Sequence, residues 1–114
     1  MPYLKIQTNL LLSRKAERTV LKQASTLVAR ELDKPEGFVM VALQPDTPML
    51  FAGDDDPVAF LELKSIGLPV RKTKHLCQVL CELIHDHLGI AKDRVYVKFI
   101  AVRRGMWGWK GDTF

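Results

Sequence analysis

Two stretches of this 114-residue chain, YLKIQTN at 3–9 and FLELKSI at 60–66, run in one order: aromatic, Leu, charge, aliphatic, polar, hydroxyl. A second pair, DKPEGFVMV and AKDRVYVKF, recurs at nearly the same spacing and aligns Lys34 with Lys92 and Phe38 with Tyr96. A strand–helix–strand signal written twice in so short a chain leaves few folds open, because each unit must bury its apolar side against the other.

Within the first unit, Ser13 is placed to cap a helix over 14–32, whose stripe is Ala16, Val20, Ala24, Leu27, Val28 and Leu32. DKPEG reads as a turn and FVMVALQP as an almost continuous apolar strand. MLFAGDDDP gives a short extended piece and a polar turn. AFLELKSI then opens the second unit as an alternating strand, with Gly67 and Pro69 before the next helix. The stripe of that helix is Leu76, Cys77, Leu80, Leu83, Ile84 and Leu88, and Gly89 follows as its stop. VYVKFIAV is the last long strand, and the tail RRGMWGWKGDTF adds one short strand. Two right-handed β-α-β crossovers predict one α+β domain over 1–114, an α/β sandwich. Pseudo-repeats at about 2–45 and 59–101 and a tail at 102–114 make a four-stranded mixed sheet with both helices on one face. FVMVAL and VYVKFIAV are apolar on both faces, so the second face is expected to be covered by further copies of the chain.

Composition sets the remaining bounds. With 47% hydrophobic and 26% charged residues, wholesale disorder is excluded. A net charge of +4 favours anionic ligands mildly and does not demand nucleic acid, because the basic residues are spread along the sequence. RKTKH at 71–75 and Arg103–Arg104 lie at a helix start and in a loop, without the interleaved aromatics of a base-stacking platform. The residues after Met1 lack a signal-peptide pattern and no run is long enough to span a membrane, so a cytosolic location is expected. Cys77 and Cys81 stand four apart, neither a redox CxxC nor half of a zinc finger, and read as two buried thiols.

Pro2 heads the first strand, a place where its missing N–H costs no ladder bond. Loss of Met1 would make it a free secondary amine. Together with the two units, the DKP turn, KSIG, DRVYV and the terminal GWKGDTF, this chain resembles macrophage migration inhibitory factor and its tautomerase relatives over essentially its whole length. That resemblance implies a homotrimer with an active site between neighbouring subunits, and Pro2 as general acid/base for keto–enol tautomerisation of a small keto or enol acid. An α-amine near pKa 7.7–8.0, taken into an apolar interface beside a cation, would be neutral enough at pH 7 to act as a base.

The resemblance also assigns site residues. Lys34 matches the lysine at the pocket mouth, there to lower the Pro2 pKa and pair with a substrate carboxylate. Ser65 and Ile66 match the segment bordering the ligand, Tyr96 the tyrosine reaching across from the adjacent subunit, and Phe38, Trp109 and Phe114 an apolar rim. Read alone, Lys34 is a solvated turn lysine, Tyr96 a core aromatic, and the rim residues further core. Lys98 stands where the family pattern has a ligand-contacting asparagine. It would favour anionic substrates or form a buried ion pair that narrows the slot. Trp107 adds bulk beside Trp109. The family's CxxC is replaced by VAFL at 58–61, so thiol oxidoreductase chemistry is not carried over. No metal or cofactor is implied. The alternative is a cytokine-like protein ligand acting on a receptor outside cells, its tautomerase site secondary.

Overall fold

The computed structural model describes residues 1–114. In chain order it has β1 (Tyr3–Thr8), α1 (Arg14–Glu31), β2 (Met40–Gln44), β3 (Ala59–Ile66), α2 (Thr73–Leu88), β4 (Val95–Val102), β5 (Gly108–Trp109) and β6 (Asp112–Thr113). The four long strands form a mixed sheet in the order β2-β1-β3-β4. β1 pairs parallel with β2, and β3 parallel with β4, while β1 and β3 meet antiparallel at the centre.

Local chemistry explains the helices. Ser13 caps α1, its Oγ accepting from the Ala16 N–H at 3.1 Å, and Leu32 is the residue that closes the helix rather than its last turn. α2 ends on Gly89 in the left-handed region at φ 68°. Both helices cover one face of the sheet. Leu4, Ile6, Leu61 and Leu63 point into that layer with no exposure, against Val20, Val28, Leu76, Leu80 and Ile84. Each such side chain contributes about 2 kcal/mol of transfer free energy. Cys81 belongs to this core; burial, reinforced by Cys77, pushes its thiol up to about 11. Cys77 is only half-buried, contrary to the expectation of two buried thiols, because its place on α2 borders a surface cleft with Lys74 and Lys92.

The other face carries much of the expected apolar surface, interrupted by charge. Tyr3, Phe60, Ile66, Ile100 and Val102 stand outward on it among Lys5, Gln7, Glu62, Lys64 and Lys98. Lys64 lies 3.9 Å from Glu62 and 5.9 Å from the Tyr3 ring. The most exposed apolar side chains are on the edge strands, where Met40 is 66% and Tyr96 61% exposed. An unbroken apolar run such as FVMVAL has no period, and sequence alone could not divide it between faces. In the structure Val41 and Leu43 pack on the core, while Met40 and Gln44 do not.

Phe38 is not in a strand. It ends a 3-10 turn, Glu36–Phe38, matched in the second unit by Lys92–Arg94. The registers Tyr3↔Met40 and Phe60↔Tyr96 therefore make Met40, not Phe38, the structural counterpart of Tyr96. The tail holds two short strands rather than one, a hairpin pairing Trp109 with Asp112. Its turn residues Lys110 and Gly111 have φ of 54° and 78°, the geometry of the tight hairpin turns that favour glycine.

Candidate functional site

Pro2 lies one residue before β1, its carbonyl accepting from the Met40 N–H at 3.0 Å. Extending the registers by one residue sets it between Val39 of the neighbouring chain segment and Ser65 of β3. It is fully buried, at the head of a central strand. Beside it opens a cavity of about 500 Å³, lined chiefly by Met1, Phe38, Met40, Trp107 and Trp109.

The aromatic wall assembles from two distant segments. The turn at 36–38 is tied to α1 by Ser25 Oγ, which donates to Glu36 Oε2 at 2.9 Å. It presents Phe38 edge-on to Trp109, with centroids 5.5 Å apart and planes at 84°. Trp109 in turn stacks on Phe114 at 6.3 Å, nearly parallel at 5°. The Phe114 N–H donates to the Trp107 carbonyl at 3.2 Å, closing the tail on itself. Lys110 Nζ sits 4.7 Å from the Trp109 ring centroid, a cation–π contact. The three rim aromatics thus come together as an open slot, with Phe38 and Trp109 40% and 48% exposed rather than in the core.

Lys34 is held by backbone. The Lys34 N–H donates to the Ala29 carbonyl at 2.9 Å and the Asp33 N–H to that of Arg30 at 3.2 Å. With Asp33 left-handed at φ 52°, this is the 6→1 and 5→2 pattern of a Schellman stop. The α-amino group, carried here by Met1, has a pKa held below its ordinary 8.0 by burial and, second, by the charge of Lys34. Both causes favour the neutral amine.

Lys34, Ile66 and Gly67 also form the common wall of two further cavities. One is a groove of about 790 Å³ running to Val102, Arg103 and Arg104. The other is a pit of about 210 Å³ that reaches Ser65, Arg71 and Lys72. Ser65 is 2% exposed. Sequence reasoning named these four cations only as a candidate nucleic-acid surface and missed their meeting with Lys34, which follows when β3, β4 and their following turns align. It missed Met40 as well, hidden in an apolar run.

Tyr96 and Lys98 are not brought to Pro2 within the chain. Tyr96 pairs with Phe60, five residues along β3 from Ser65, or roughly 17 Å at about 3.3–3.4 Å per residue. Its ring packs edge-on against Phe51 at 4.9 Å. Lys98 is exposed and makes no ion pair, because Glu62, its register neighbour, is engaged by Lys64; the buried-pair reading does not hold in the chain.

A two-unit α+β sandwich with a buried proline at the head of a central strand and an aromatic slot beside it defines a narrow class. The family model for macrophage migration inhibitory factor matches residues 1–114, and this chain belongs to that family. The macrophage migration inhibitory factor homolog of Brugia malayi is 36% identical over 116 residues, covering 100% of this chain and 99% of its own. The mouse macrophage migration inhibitory factor is 34% identical over 95 residues, 82% of this chain and 83% of its own. Among solved structures, the homologue from Prochlorococcus marinus superposes with a TM-score of 0.93 at 37% identity over 98% of each chain. The protein from Trichinella spiralis gives 0.91 at 30%, over 98% of this chain and 99% of that one. No helix is long and apolar enough to cross a membrane.

Proposed function

We propose that this protein is a keto–enol tautomerase of the phenylpyruvate or dopachrome type, with the Pro2 amine as its general acid/base once Met1 is removed. The observation that carries the reading is the seat of Pro2: fully buried, on the wall of an aromatic cavity, in a chain whose terminal amine is already depressed by burial and Lys34. Moving that amine one residue inward, from Met1 to Pro2, increases its desolvation.

The neutral amine takes a proton from the carbon beside the substrate carbonyl. The electron pair forms the carbon–carbon double bond, and the carbonyl oxygen gathers the charge. The Pro2 ammonium then delivers the proton to that oxygen, and ketonisation runs the same steps backwards. Lys34 binds the substrate carboxylate by charge-assisted hydrogen bonding. Phe38, Trp109 and Phe114 hold the aryl ring, Trp107 narrows the slot, and Ser65 and Ile66 border the ligand.

A homotrimer completes the site in this proposal. Tyr96 projects from the end of the sheet remote from Pro2 and Lys98 from the middle of β4, and in the trimer both would serve a neighbour's pocket rather than their own. Exposed Met40, Leu50, Tyr96 and Met106 supply apolar area for the contact. Sedimentation should give three times the 12.9 kDa chain mass; a monomer at micromolar concentration would remove this part of the proposal.

The decisive assay follows the ultraviolet decay of enol phenylpyruvate with Met-processed protein, Pro2→Gly, and a form retaining Met1. Fast decay lost in both controls supports the reading, and full activity with Met1 in place overturns it.

A further inference from the structure

The groove and the pit that share Lys34 have a feature the tautomerase reading does not use. Lys34, Arg71, Lys72, Arg103 and Arg104 line them, with no Asp or Glu among the lining residues. None of the five forms an ion pair within the chain. The chain has 17 basic and 13 acidic residues. Five of the 17 thus line these cavities, and none of the 13 acidic residues does. The basic residues look scattered in sequence, and the fold collects them.

Their backbones are fixed. Arg71 and Lys72 ride a 3-10 turn closed by the Lys72 N–H on the Pro69 carbonyl at 3.1 Å. Arg104 opens a second one, where the Met106 N–H meets the Arg103 carbonyl at 2.9 Å. The Gly67 N–H donates to the Val102 carbonyl at 3.1 Å and joins the two walls.

Ser65 is the independent sign. Thr8 holds the corresponding place in the first unit, and its hydroxyl donates to the Val58 carbonyl at 2.7 Å. Ser65, equally buried, makes no side-chain hydrogen bond in the chain, and what surface it keeps opens into the cationic pit. No buried side-chain polar atom of the chain lacks a partner, so the Ser65 hydroxyl, which no protein group claims, meets solvent in the pit, where it and the cations around it can be taken up by an anionic ligand. Ile66 and Val102 lie between the cations as an apolar floor.

We infer that Ser65, Lys34, Arg71, Lys72, Arg103 and Arg104 form an anion subsite for a second acidic group on the substrate, making the preferred substrate a dianionic 2-oxo acid. The inference rests on the tautomerase reading, with the 2-oxo acid end at Pro2 and Lys34 and the distal carboxylate or phosphate toward Arg103 and Arg104. Cavities of about 210 and 790 Å³ are those of a small molecule.

The test compares 4-carboxyphenylpyruvate with phenylpyruvate on the wild-type protein and the Arg103→Ala/Arg104→Ala double variant. The wild type should prefer the dianion by roughly tenfold in kcat/KM, about what one charge-assisted hydrogen bond supplies. The variant should lose that preference through KM and keep phenylpyruvate turnover within about twofold, since phenylpyruvate has no distal acid for these two side chains to meet. An equal preference in both proteins overturns the subsite. If neither compound turns over, the tautomerase reading fails. Calorimetric binding of 4-carboxyphenylacetate against phenylacetate then decides the subsite alone: preference lost in the variant upholds it, and no preference overturns it. A single-stranded oligonucleotide that displaces the dicarboxylate at far lower concentration would overturn it in favour of a nucleic-acid surface. A 4-phosphonophenylpyruvate arm separates phosphate from carboxylate as the distal group.

Discussion

The two ends of the four-stranded sheet are built by opposite rules. At the end holding Thr8 and Val95, polar groups are saturated. Arg94 donates to the Pro57 carbonyl at 2.9 Å and the Asp56 carbonyl at 3.0 Å, meets the Asp54 carboxylate at 2.8 Å, and lies 5.2 Å from the Phe51 ring centroid. Asn9 receives the Val58 N–H at 3.0 Å and donates to the Asp55 and Asp56 carbonyls at 2.9 and 3.2 Å. At the Pro2 end, cations lack partners, a serine hydroxyl is unclaimed and aromatics stand half-exposed. Buried and satisfied polar networks give rigidity, whereas charges and apolar surface left unsatisfied are what a ligand can use. The comparison separates the end that holds the loops in place from the end that recognises.

The sharpest way to break this division is Pro2→Gly. Tautomerase activity should fall by about a thousandfold, within the range of a lost general acid/base, at a cost of about 1 kcal/mol in stability; a urea midpoint measured beside the enol assay tests both. Arg94→Ala should act mainly in the other direction. Three carbonyl or carboxylate partners are left unpaired, and about 3 kcal/mol of stability should be lost in urea unfolding. In the proposed trimer it should also disturb the neighbour's pocket, through the Phe51–Tyr96 contact. A midpoint unchanged from wild type would show that the network is ornamental.

Lys34→Ala sharpens the comparison through pH. Burial first and Lys34 second lower the pKa of the Met1 amine; the same two causes are proposed for the Pro2 amine as base, so activity is lost as pH falls through its pKa. Without Lys34 the pKa rises, and the acid limb of the kcat/KM profile should move to higher pH; KM for phenylpyruvate should also rise by about tenfold. An unmoved acid limb would dissociate Lys34 from the amine. Gly111→Ala is the smallest test. Forcing a side chain onto φ 78° should cost about 1 kcal/mol, loosen Trp109 and be read in tryptophan fluorescence.

How much of this was legible in the sequence follows the range of the physics. Ser13, the α1 stripe and Gly89 are local signals, and the structure uses each as its residue type dictates. Pro2 was legible because proline is confined to few places in a sheet. The equivalence of the halves slipped by two residues in its second part, because 3-10 turns begin each final strand and DKPEG resembles AKDR more closely than the registers allow. The outward face was legible only in part, because a solid apolar run conceals its own period and hides where Lys98 and Gln44 interrupt it. The cationic mouth was legible only as two basic segments, 71–75 and 103–104, because their meeting with Lys34 depends on the β1–β3–β4 ladder.

The burial of Pro2 sets a deadline. Its seat lies between Val39 and Ser65, so the second wall does not exist until about sixty more residues have been synthesised, on the order of 3–13 s at roughly 5–20 residues per second. Before that moment Met1 and its peptide bond hang free of the sheet. Afterwards Pro2 is fully buried while Met1 stays half-exposed, so a trimming enzyme meets Met1 at the surface but must cut a bond whose far side is sunk in the sheet.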